Sequence, residues 1–227
     1  FGVVPVENST EGSINLTLDL LIDTTLVIVG EILLPIRHAL LSRAKHESEI
    51  RKIVSHQQSL AQCRNYLNRN FPGIETEAVA SNSTAAGRAA QDPTVAAIAS
   101  VDAGRANDLN VLAENIQDLA QNTTRFLIMG TQPTIRSGAD KTTVLFAVPD
   151  KVGALNQVLA LFARNKINIS KIESRPRRGR PWEYLFFVDF KGHREDAHAV
   201  RALAGLKRIA LFLKVLGSYP EARTARA

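Results

Sequence analysis

The chain has 227 residues, 45% of them hydrophobic, and this composition provides for a core and excludes a disordered protein. Its single cysteine excludes a disulfide framework or a multi-cysteine zinc site, and no apolar run approaches the roughly 20 residues of a membrane helix. The net charge is +6, the length favours one large or two modest domains, and the start lacks the pattern of a signal peptide. Because the chain opens at Phe1 inside a strand-like segment, we expect that an N-terminal part is missing.

The first 134 residues predict alternating strands and helices. Strands are predicted at 1–9 (FGVVPVENS, a buried strand and turn), 27–36, 52–55, 76–81 and 95–100, and helices from about 59, at 83–91 and from 102. This order is typical of a layered α/β domain, and we expect its strands to be mostly parallel.

Three strand ends in this region lead into helices through small hydroxyl or amide residues. They are the ENST turn at 7–10 and the segments 80–83 and 99–102. The free N–H groups of a helix N-terminus can bind an anion, although one such terminus alone indicates simple capping. Several in one domain favour a cleft that binds carboxylates. The sequence has no GxGxxG motif or P-loop, so nucleotide binding is not expected.

A Pro-, Gly- and Ser-containing linker at 131–140 separates a second part. Strands are predicted there at 142–148, 167–175, 183–190 and 210–219. Two helices lie between them, the first with its apolar stripe at Leu155, Val158, Leu159 and Phe162 and the second with its stripe at Ala197, Val200, Leu203 and Leu206. The resulting βαββαβ order predicts a ferredoxin-like α+β domain.

Charge is divided unevenly between the two parts. Residues 1–134 carry 10 Lys and Arg against 14 Asp and Glu, a net charge of −4, whereas residues 135–227 carry 18 against 8, a net charge of +10. The densest basic cluster, RPRRGR at 175–180, contains Pro and Gly and predicts a solvated loop between strands. The phenylalanines that follow fall in a compact strand rather than on an exposed face, which disfavours a nucleic-acid interface.

Several motifs occur in a characteristic order. They are PVENSTEG at 5–12, SHQQSLAQC at 55–63, SNSTAAGRAA at 81–90, AAIAS at 96–100 and NTTRF at 122–126. Together they resemble the prephenate dehydratase family. GALN at 153–156 and ESRP at 173–176 resemble the phenylalanine-binding motifs of the ACT regulatory domain that this family carries. The resemblance covers almost the whole chain, and TRF combined with ESRP at this spacing is specific.

The resemblance implies a particular architecture. Residues 1–134 would form a two-lobed α/β dehydratase domain like the periplasmic binding proteins, with the second lobe at roughly 32–104, and residues 141–220 would form an α+β ACT domain. Family members begin with a glycine-rich GPxGT-like segment that this chain lacks, so we expect an incomplete first lobe. The PWE segment at 181–183 resembles the bifunctional bacterial form. Whether a chorismate mutase domain precedes the chain stays open.

The resemblance also implies a function. Prephenate would lose water and carbon dioxide to give phenylpyruvate in the cytoplasm, with no metal and no organic cofactor, and L-phenylalanine would inhibit from the ACT domain. The implied assembly is a homodimer or higher homo-oligomer without a nucleic-acid or membrane partner. Arogenate as the substrate and a non-catalytic amino-acid-binding module are the alternatives.

Specific residues carry over to the dehydratase site. Thr124 would assist the departing hydroxyl as a positioned donor, and the Arg125 fork would hold a carboxylate, against the simpler readings of a strand threonine and a structural ion pair. The implied substrate-binding residues are Glu7, Asn8, Gln58, Ser83, Thr84 and Phe126. Asn8 would orient the substrate, whereas Glu7 would either join the cleft or tie down its own turn. Gln58 matches the family although Gln57 stands where proline is usual.

The regulatory site carries over in the same way. Gly153 would permit close approach of the ligand at a helix start, and Ala154 and Leu155 would line the site. The other wall, across a dimer interface, would consist of the ESRP motif, that is, Glu173, Ser174, Arg175 and Pro176. Asn156 replaces the usual apolar residue after GAL, which puts ligand affinity in question.

Overall fold

A computed structural model describes residues 1–177 and 183–222. The chain divides into two compact units, the first formed by Phe1–Leu34 with Thr124–Ala227 and the second by Pro35–Thr123. The loop predicted at 175–180 and the PWE segment fall partly on residues 178–182, which lie outside the described residues.

The elements up to residue 130 alternate as predicted, with additions. They are β1 (Gly2–Asn8), β2 (Gly12–Ser13), α1 (Asn15–Asp23), β3 (Val27–Pro35), β4 (Ala39–Ser42), a 3₁₀ turn (Glu47–Glu49), β5 (Lys52–His56), α2 (Gln57–Gln62), α3 (Arg64–Asn70), β6 (Glu75–Val79), α4 (Asn82–Ala89), β7 (Val95–Ala99), α5 (Val101–Ala106), β8 (Asn110–Glu114) and β9 (Thr123–Gly130). After the linker come β10 (Asp140–Ala147), α6 (Ala154–Arg164), β11 (Ile169–Pro176), β12 (Tyr184–Lys191), α7 (Ala197–Ile209) and β13 (Phe212–Pro220).

The second unit is built on a five-stranded sheet with the order β6-β5-β7-β4-β8. β5 pairs in parallel with β6 and β7, but β4 is antiparallel to both β7 and β8. The prediction of mostly parallel strands is therefore wrong. Parallel strands of one sheet need a crossover connection, usually a helix. α2 and α3 connect β5 to β6, and α4 connects β6 to β7, whereas only the 3₁₀ turn connects β4 to β5. The sheet also extends past the predicted limit of 104, because β8 pairs with β4.

The N-terminal strands of the first unit form a sheet with the order β2-β1-β9-β3, in which β1 is antiparallel to β2 and β9. β1 was expected to be buried, but only Val6 of its seven residues is buried, because one face alone packs on a core. The helix α1 is not predicted from the sequence. Its residues Thr17, Leu18 and Leu21 are buried at helical spacing, while Leu16 and Leu20 are exposed. The leucines of this segment fit the two-residue period of a strand and the 3.6-residue period of a helix equally well, so the pattern does not distinguish the two.

Residues 140–220 form a four-stranded sheet with the order β11-β12-β10-β13, which confirms the predicted βαββαβ unit. α6 and α7 cover one face of this sheet, where Val144, Phe146 and Val188 form part of the core. The stripe predicted for α7 is wrong at Ala197 and Val200. The buried residues are Ala199, Ala202, Gly205 and Leu206. Ala199, Ala202 and Leu206 join the core cluster, and a Cβ atom at Gly205 would lie 2.9 Å from Leu161 of α6.

The opposite face of this sheet packs against the N-terminal strands and α1. Leu145, Phe187 and Leu216 share one hydrophobic cluster with Val6 and Leu127. The ferredoxin-like sheet and the sheet that contains β9 therefore share a core within the first unit.

Candidate functional site

The TRF motif lies on β9, beside the ENST motif on β1. The strand register pairs Asn8 with Thr124 and Glu7 with Arg125. Because successive side chains of a strand point to opposite faces, Asn8, Thr124 and Phe126 share one face, while Arg125 points to the other. Arg125 is buried and Thr124 is half-buried. The strand therefore divides the predicted catalytic motif between two environments.

Asn8 and Thr124 are joined by a hydrogen bond. The Nδ2 atom of Asn8 donates to Oγ1 of Thr124 at 2.9 Å, while Oδ1 of Asn8 accepts from the backbone N–H groups of Thr10 (2.9 Å) and Glu11 (3.2 Å). A backbone N–H can only donate, so these contacts fix which way the amide is turned. The hydroxyl proton of Thr124 must then point away from Asn8, which leaves Thr124 able to donate to another group.

Arg125 lies in a buried ionic network. Its Nε donates to Oε2 of Glu31 at 2.6 Å, its Nη1 to Oδ2 of Asp189 at 2.5 Å and its Nη2 to the hydroxyl of Tyr219 at 2.9 Å. Lys141 adds a 2.8 Å contact from Nζ to Oε1 of Glu31. The expectation that the Arg125 fork holds a substrate carboxylate is not met, because protein groups already accept from three of its nitrogens. The structural ion pair, the alternative reading, is what the structure shows.

Opposite charges adjoin one another in this network and shift each other's pKa values. Burial alone would raise the pKa of the Glu31 carboxyl, but Arg125 and Lys141 together hold this pKa below its usual value. Burial disfavours the charged form of Arg125, yet Asp189, Tyr219 and Glu31 raise its pKa. Burial, reinforced by Asp189, raises the pKa of Tyr219, so this phenol stays neutral at pH 7. Arg125 and Lys141 therefore adjoin Glu31 and Asp189, and Glu221 lies 3.7 Å from Nζ of Lys141.

Glu7 lies on the Arg125 side of the sheet, away from Thr124. Its Oε2 is 3.0 Å from Nζ of Lys171 and 3.6 Å from Nη1 of Arg125. Neither sequence-based reading of Glu7, as a substrate contact or as the tie of its own turn, anticipated these ion pairs. The partner came from β11, more than 160 positions away, and no local pattern pointed to it.

The ESRP motif is divided between the two faces of β11. Glu173 and Arg175 point to the side of the shared core, where Ser13 donates to Glu173 at 2.8 Å and Arg175 donates to Asp19 at 2.8 Å. Ser174 and Pro176 point to the opposite, helix-bearing face and are exposed. A single wall made of all four side chains, as expected from the sequence, is therefore not formed by this strand.

The GAL motif begins α6 on the helix-bearing side of the sheet. Gly153 is the N-cap residue and has φ = +80°, a conformation that favours glycine. Ala154 is buried, and Leu155 packs against the core under the two helices. These residues thus lie on the same side of the sheet as Ser174 and Pro176.

In the second unit, one residue that the sequence analysis missed joins two helix starts. Oδ1 of Asn82 accepts from the hydroxyls of Ser55 and Ser59 at 3.0 Å each and from the backbone N–H of His56 at 3.2 Å. This holds the N-terminus of α4 beside that of α2, which carries Gln58. The signal was present in the sequence, since Asn82 stands inside SNSTAAG directly before the predicted helix at 83–91, and in the structure it is the first residue of α4.

The two helix starts that carry the predicted substrate contacts are capped by neighbouring side chains. The backbone N–H of Gln58 donates to Nδ1 of His56 at 3.3 Å, and that of Thr84 donates to the hydroxyl of Ser81 at 3.0 Å. Ser83 and Thr84 are exposed in the first turn of α4.

Burial, together with the Asp118 charge, raises the pKa of the Cys63 thiol to about 12, which excludes it as a nucleophile at neutral pH.

Across residues 1–177 and 183–222, no three His, Cys, Asp or Glu side chains are grouped so that they could hold a metal ion. Within the same residues, no helix combines the length and apolar character needed to cross a membrane.

Comparison with known proteins gives concordant matches. The family model for prephenate dehydratase matches residues 1–134, and that for the ACT domain matches residues 142–208. The chain is 45% identical over 222 residues to the bifunctional chorismate mutase/prephenate dehydratase of Aquifex aeolicus, an alignment covering 98% of this chain and 61% of that protein. It is 39% identical over 225 residues to the prephenate dehydratase of Methanocaldococcus jannaschii, covering 96% and 80%.

A solved structure agrees with these matches. Prephenate dehydratase from Arthrobacter aurescens in complex with L-Phe superposes with a TM-score of 0.86 and 38% identity, covering 96% of this chain and 74% of that one. The chain thus spans less than two thirds of the bifunctional relative from Aquifex aeolicus.

Proposed function

Because the chain belongs to the prephenate dehydratase family and carries an ACT domain, we propose that it catalyses the decarboxylating dehydration of prephenate to phenylpyruvate. The observation that carries this proposal is the contact between Asn8 and Thr124, which presents an oriented hydroxyl group on β9. The relatives named prephenate dehydratase support the substrate.

The reaction needs one well-placed donor. The bond from the ring to the carboxylate breaks and releases carbon dioxide, its electron pair makes the ring aromatic, and the ring C–O bond breaks as the hydroxyl leaves. The leaving group needs a proton to depart as water. A threonine hydroxyl is a weak acid, so Thr124 acts as a hydrogen-bond donor whose proton moves to the leaving oxygen as the C–O bond breaks, and solvent water returns a proton to Thr124. Positioned acid catalysis of this kind contributes roughly 10²- to 10⁴-fold in rate.

Other residues have supporting roles in this proposal. Phe126 shares the face of Thr124 and forms part of the pocket wall, whereas Arg125 anchors β9 from its other face and is a positioning residue. Gln58, Ser83 and Thr84 remain proposed substrate contacts on the strength of their motifs. No metal or organic cofactor takes part in the proposed chemistry.

We also propose regulation by L-phenylalanine at the ACT domain. The relative from Arthrobacter aurescens was solved with L-Phe bound, and Gly153, Ala154, Leu155, Ser174 and Pro176 share one side of the sheet here. The protein would act in the cytoplasm as a homodimer or higher homo-oligomer. Arogenate, which carries the same leaving hydroxyl, is the alternative substrate.

A turnover assay on the complete gene product tests the proposal. Prephenate and arogenate are supplied separately, and the ring product is measured with and without L-phenylalanine. We expect phenylpyruvate from prephenate and its suppression by phenylalanine. Phenylalanine binding without turnover of either substrate would instead indicate the non-catalytic binding module.

A further inference from the structure

The strand β1 contains a β-bulge two residues before Asn8. Residues 2–5 pair with β9 in regular antiparallel register, but the register shifts by one between Pro5 and Glu7, so that Val6 is an extra residue on β1. A bulge of this kind changes the face of the sheet on which the following side chains lie, and bulges often occur beside active sites for that reason. All of these residues belong to the first unit.

The side chains around the bulge show this change of face. Val6 is buried in the shared core, and Glu7 lies on the same side of the sheet, with Oε2 3.6 Å from Nη1 of Arg125. Two successive side chains therefore share one face, and Asn8 lies on the opposite face, where it donates to Thr124. With strict alternation, Asn8 would lie on the face of Val6 and point into the core. The bulge is thus what brings Asn8 to Thr124.

The first turn of α1 holds the bulge through two hydrogen bonds. The hydroxyl of Thr17 donates to the carbonyl oxygen of Pro5 at 2.6 Å, and the backbone N–H of Ile14 donates to that of Val6 at 2.9 Å. Proline has no N–H group with which to hold this part of β1 in a strand ladder. Leu18, which follows Thr17, packs in the same hydrophobic cluster as Val6. The bulge is therefore fixed from α1.

The hydroxyl of Thr17 bonds outside its own helix. A threonine within a helix commonly donates to the carbonyl three or four residues earlier in the same helix. Thr17 instead donates to β1, 12 positions away, and its side chain is buried. A carbonyl that loses its donor in such surroundings is costly. Removal of this hydroxyl therefore favours other conformations of the bulge.

We propose that Thr17 is a positioning residue for the dehydration, because it holds the bulge that turns Asn8 toward Thr124. This inference rests on the proposed function, in which Thr124 is the proton donor. When the bulge relaxes, the amide of Asn8 leaves Thr124, and the hydroxyl of Thr124 loses the contact that points its proton away from Asn8. The chemical step then slows.

The test removes the hydroxyl group and keeps the shape of the side chain. Thr17→Val is compared with wild type, with Thr17→Ser and with Thr142→Val, in the complete gene product with prephenate as the substrate. Thr142 is the matched control, because it is also buried and its hydroxyl donates to a backbone carbonyl, that of Gly192, at 2.6 Å. Steady-state kinetics gives kcat and KM, and urea titration gives the unfolding midpoint.

We expect Thr17→Val to lower kcat by about 3- to 10-fold, the rate equivalent of one neutral hydrogen bond, with KM within about twofold of wild type. Thr17→Ser should keep kcat within about twofold of wild type, because serine retains the donor. Thr142→Val should lower the unfolding midpoint, as Thr17→Val does, but leave kcat unchanged.

A double variant separates positioning from a general loss of stability. Thr17→Val is introduced into Thr124→Ala, in which the hydroxyl that the bulge positions is absent. If Thr17 acts through Thr124, the two changes are not additive, and kcat of the double variant should stay within about twofold of that of Thr124→Ala. An equal fractional loss of kcat in both backgrounds would show a merely structural role and overturn the inference.

A wild-type kcat in folded Thr17→Val overturns the inference while the proposed function stands. If Thr17→Val does not fold, Thr17→Cys decides instead, because a thiol is a weaker donor of similar size. There we expect kcat to fall at least about twofold, and an unchanged kcat overturns the inference. A wild-type protein that fails to convert prephenate overturns the proposed function, and the inference with it.

Discussion

The single residue Arg125 shows how far a strand separates neighbouring side chains. It follows Thr124 directly, yet it points into a core where Glu31, Asp189 and Tyr219 accept hydrogen bonds from it. Breaking such a buried pair by removing one partner costs about 3–5 kcal/mol, because the other charge is left uncompensated. Arg125 therefore stabilises β9, the strand that carries Thr124, from the face opposite the Thr124 side chain.

Thr124→Ala should lower kcat for prephenate by roughly 10²- to 10⁴-fold, because it removes the positioned donor, with little change in KM. Thr124→Ser, which keeps a hydroxyl group, should retain most of the activity. The measurement is steady-state kinetics on the complete gene product. Thr94→Ala, an exposed threonine in the second unit, is the control and should behave as wild type. Unchanged turnover in Thr124→Ala would remove this residue from the mechanism.

The ionised Glu31 carboxylate should stabilise the fold only above a certain pH. Its folded pKa lies below the ordinary value of about 4.3, so its contribution is complete above that value and is lost as the pH falls through the folded pKa. Glu31→Gln should therefore lower the free energy of unfolding by about 3–5 kcal/mol at pH 7. The difference from wild type should shrink in urea titrations below about pH 4.

The exposed carboxylate of Glu114 provides the control for this pH dependence. Glu114→Gln should change stability by no more than about 0.5 kcal/mol at any pH. A Glu31→Gln difference that is constant from pH 7 to pH 3.5 would show that the charge of Glu31 is not what stabilises the network.

Among the elements, β13 approaches β3 so closely that it requires a glycine. A Cβ atom at Gly217 would lie 2.2 Å from the carbonyl oxygen of Ile28, and both groups belong to strands held in sheets. The register of β10 with β13 also shifts at Thr143/Val144, next to Gly217. Because backbone rather than a flexible side chain would have to move, no local adjustment makes room for a methyl group.

Gly217→Ala should lower the free energy of unfolding by about 1–3 kcal/mol, the usual cost of overpacking. The matched control is Gly87→Ala on α4, where a Cβ atom meets nothing within 4 Å. That change should stabilise the protein by about 0.4–1 kcal/mol, because alanine suits a helix better than glycine. Urea titration of both variants gives the comparison, and equal stabilities would contradict the close approach of β13 to β3.

At the scale of the whole molecule, the uneven charge of the sequence has an internal explanation. Cations from the basic half pair with acids from the acidic half, as Lys141 does with Glu31, Lys171 with Glu7, and Arg175 with Asp19. The excess of +10 after residue 134 is thus partly used to attach the ACT domain to the N-terminal strands.

The shared core predicts that the first unit unfolds as one body. Phe187 and Leu145 of the ferredoxin-like sheet pack in the same cluster as Val6 and Leu127 of the N-terminal strands. Hydrogen exchange followed by mass spectrometry should therefore show β1, β9, β10 and β12 opening with a common free energy. Phe187→Ala should lower that free energy by about 3–5 kcal/mol in all four strands.

An exposed aromatic side chain provides the control for this experiment. Tyr184→Ala, at a position on β12 that is 45% exposed, should have a much smaller effect. Exchange of β1 and β9 while β10 and β12 stay protected would show instead that the two sheets are stabilised independently.

In the second part of the chain the sequence by itself determined the element order, because periods of 2 and 3.6 are local properties that burial on one face imposes, whereas in the first part it did not predict α1. The alternation at 167–175 predicted β11, and the βαββαβ order and the motif resemblance followed from local patterns. Tertiary structure alone decided which way β4 runs and which core alanines α7 buries. It also decided the environments of Arg125, Glu7 and Glu173. Local periodicity shows that a side chain is buried or faces a certain side, but not which distant group meets it. Arg125 meets Glu31 and Asp189 across 94 and 64 positions of sequence, and only the packing of two sheets brings them together.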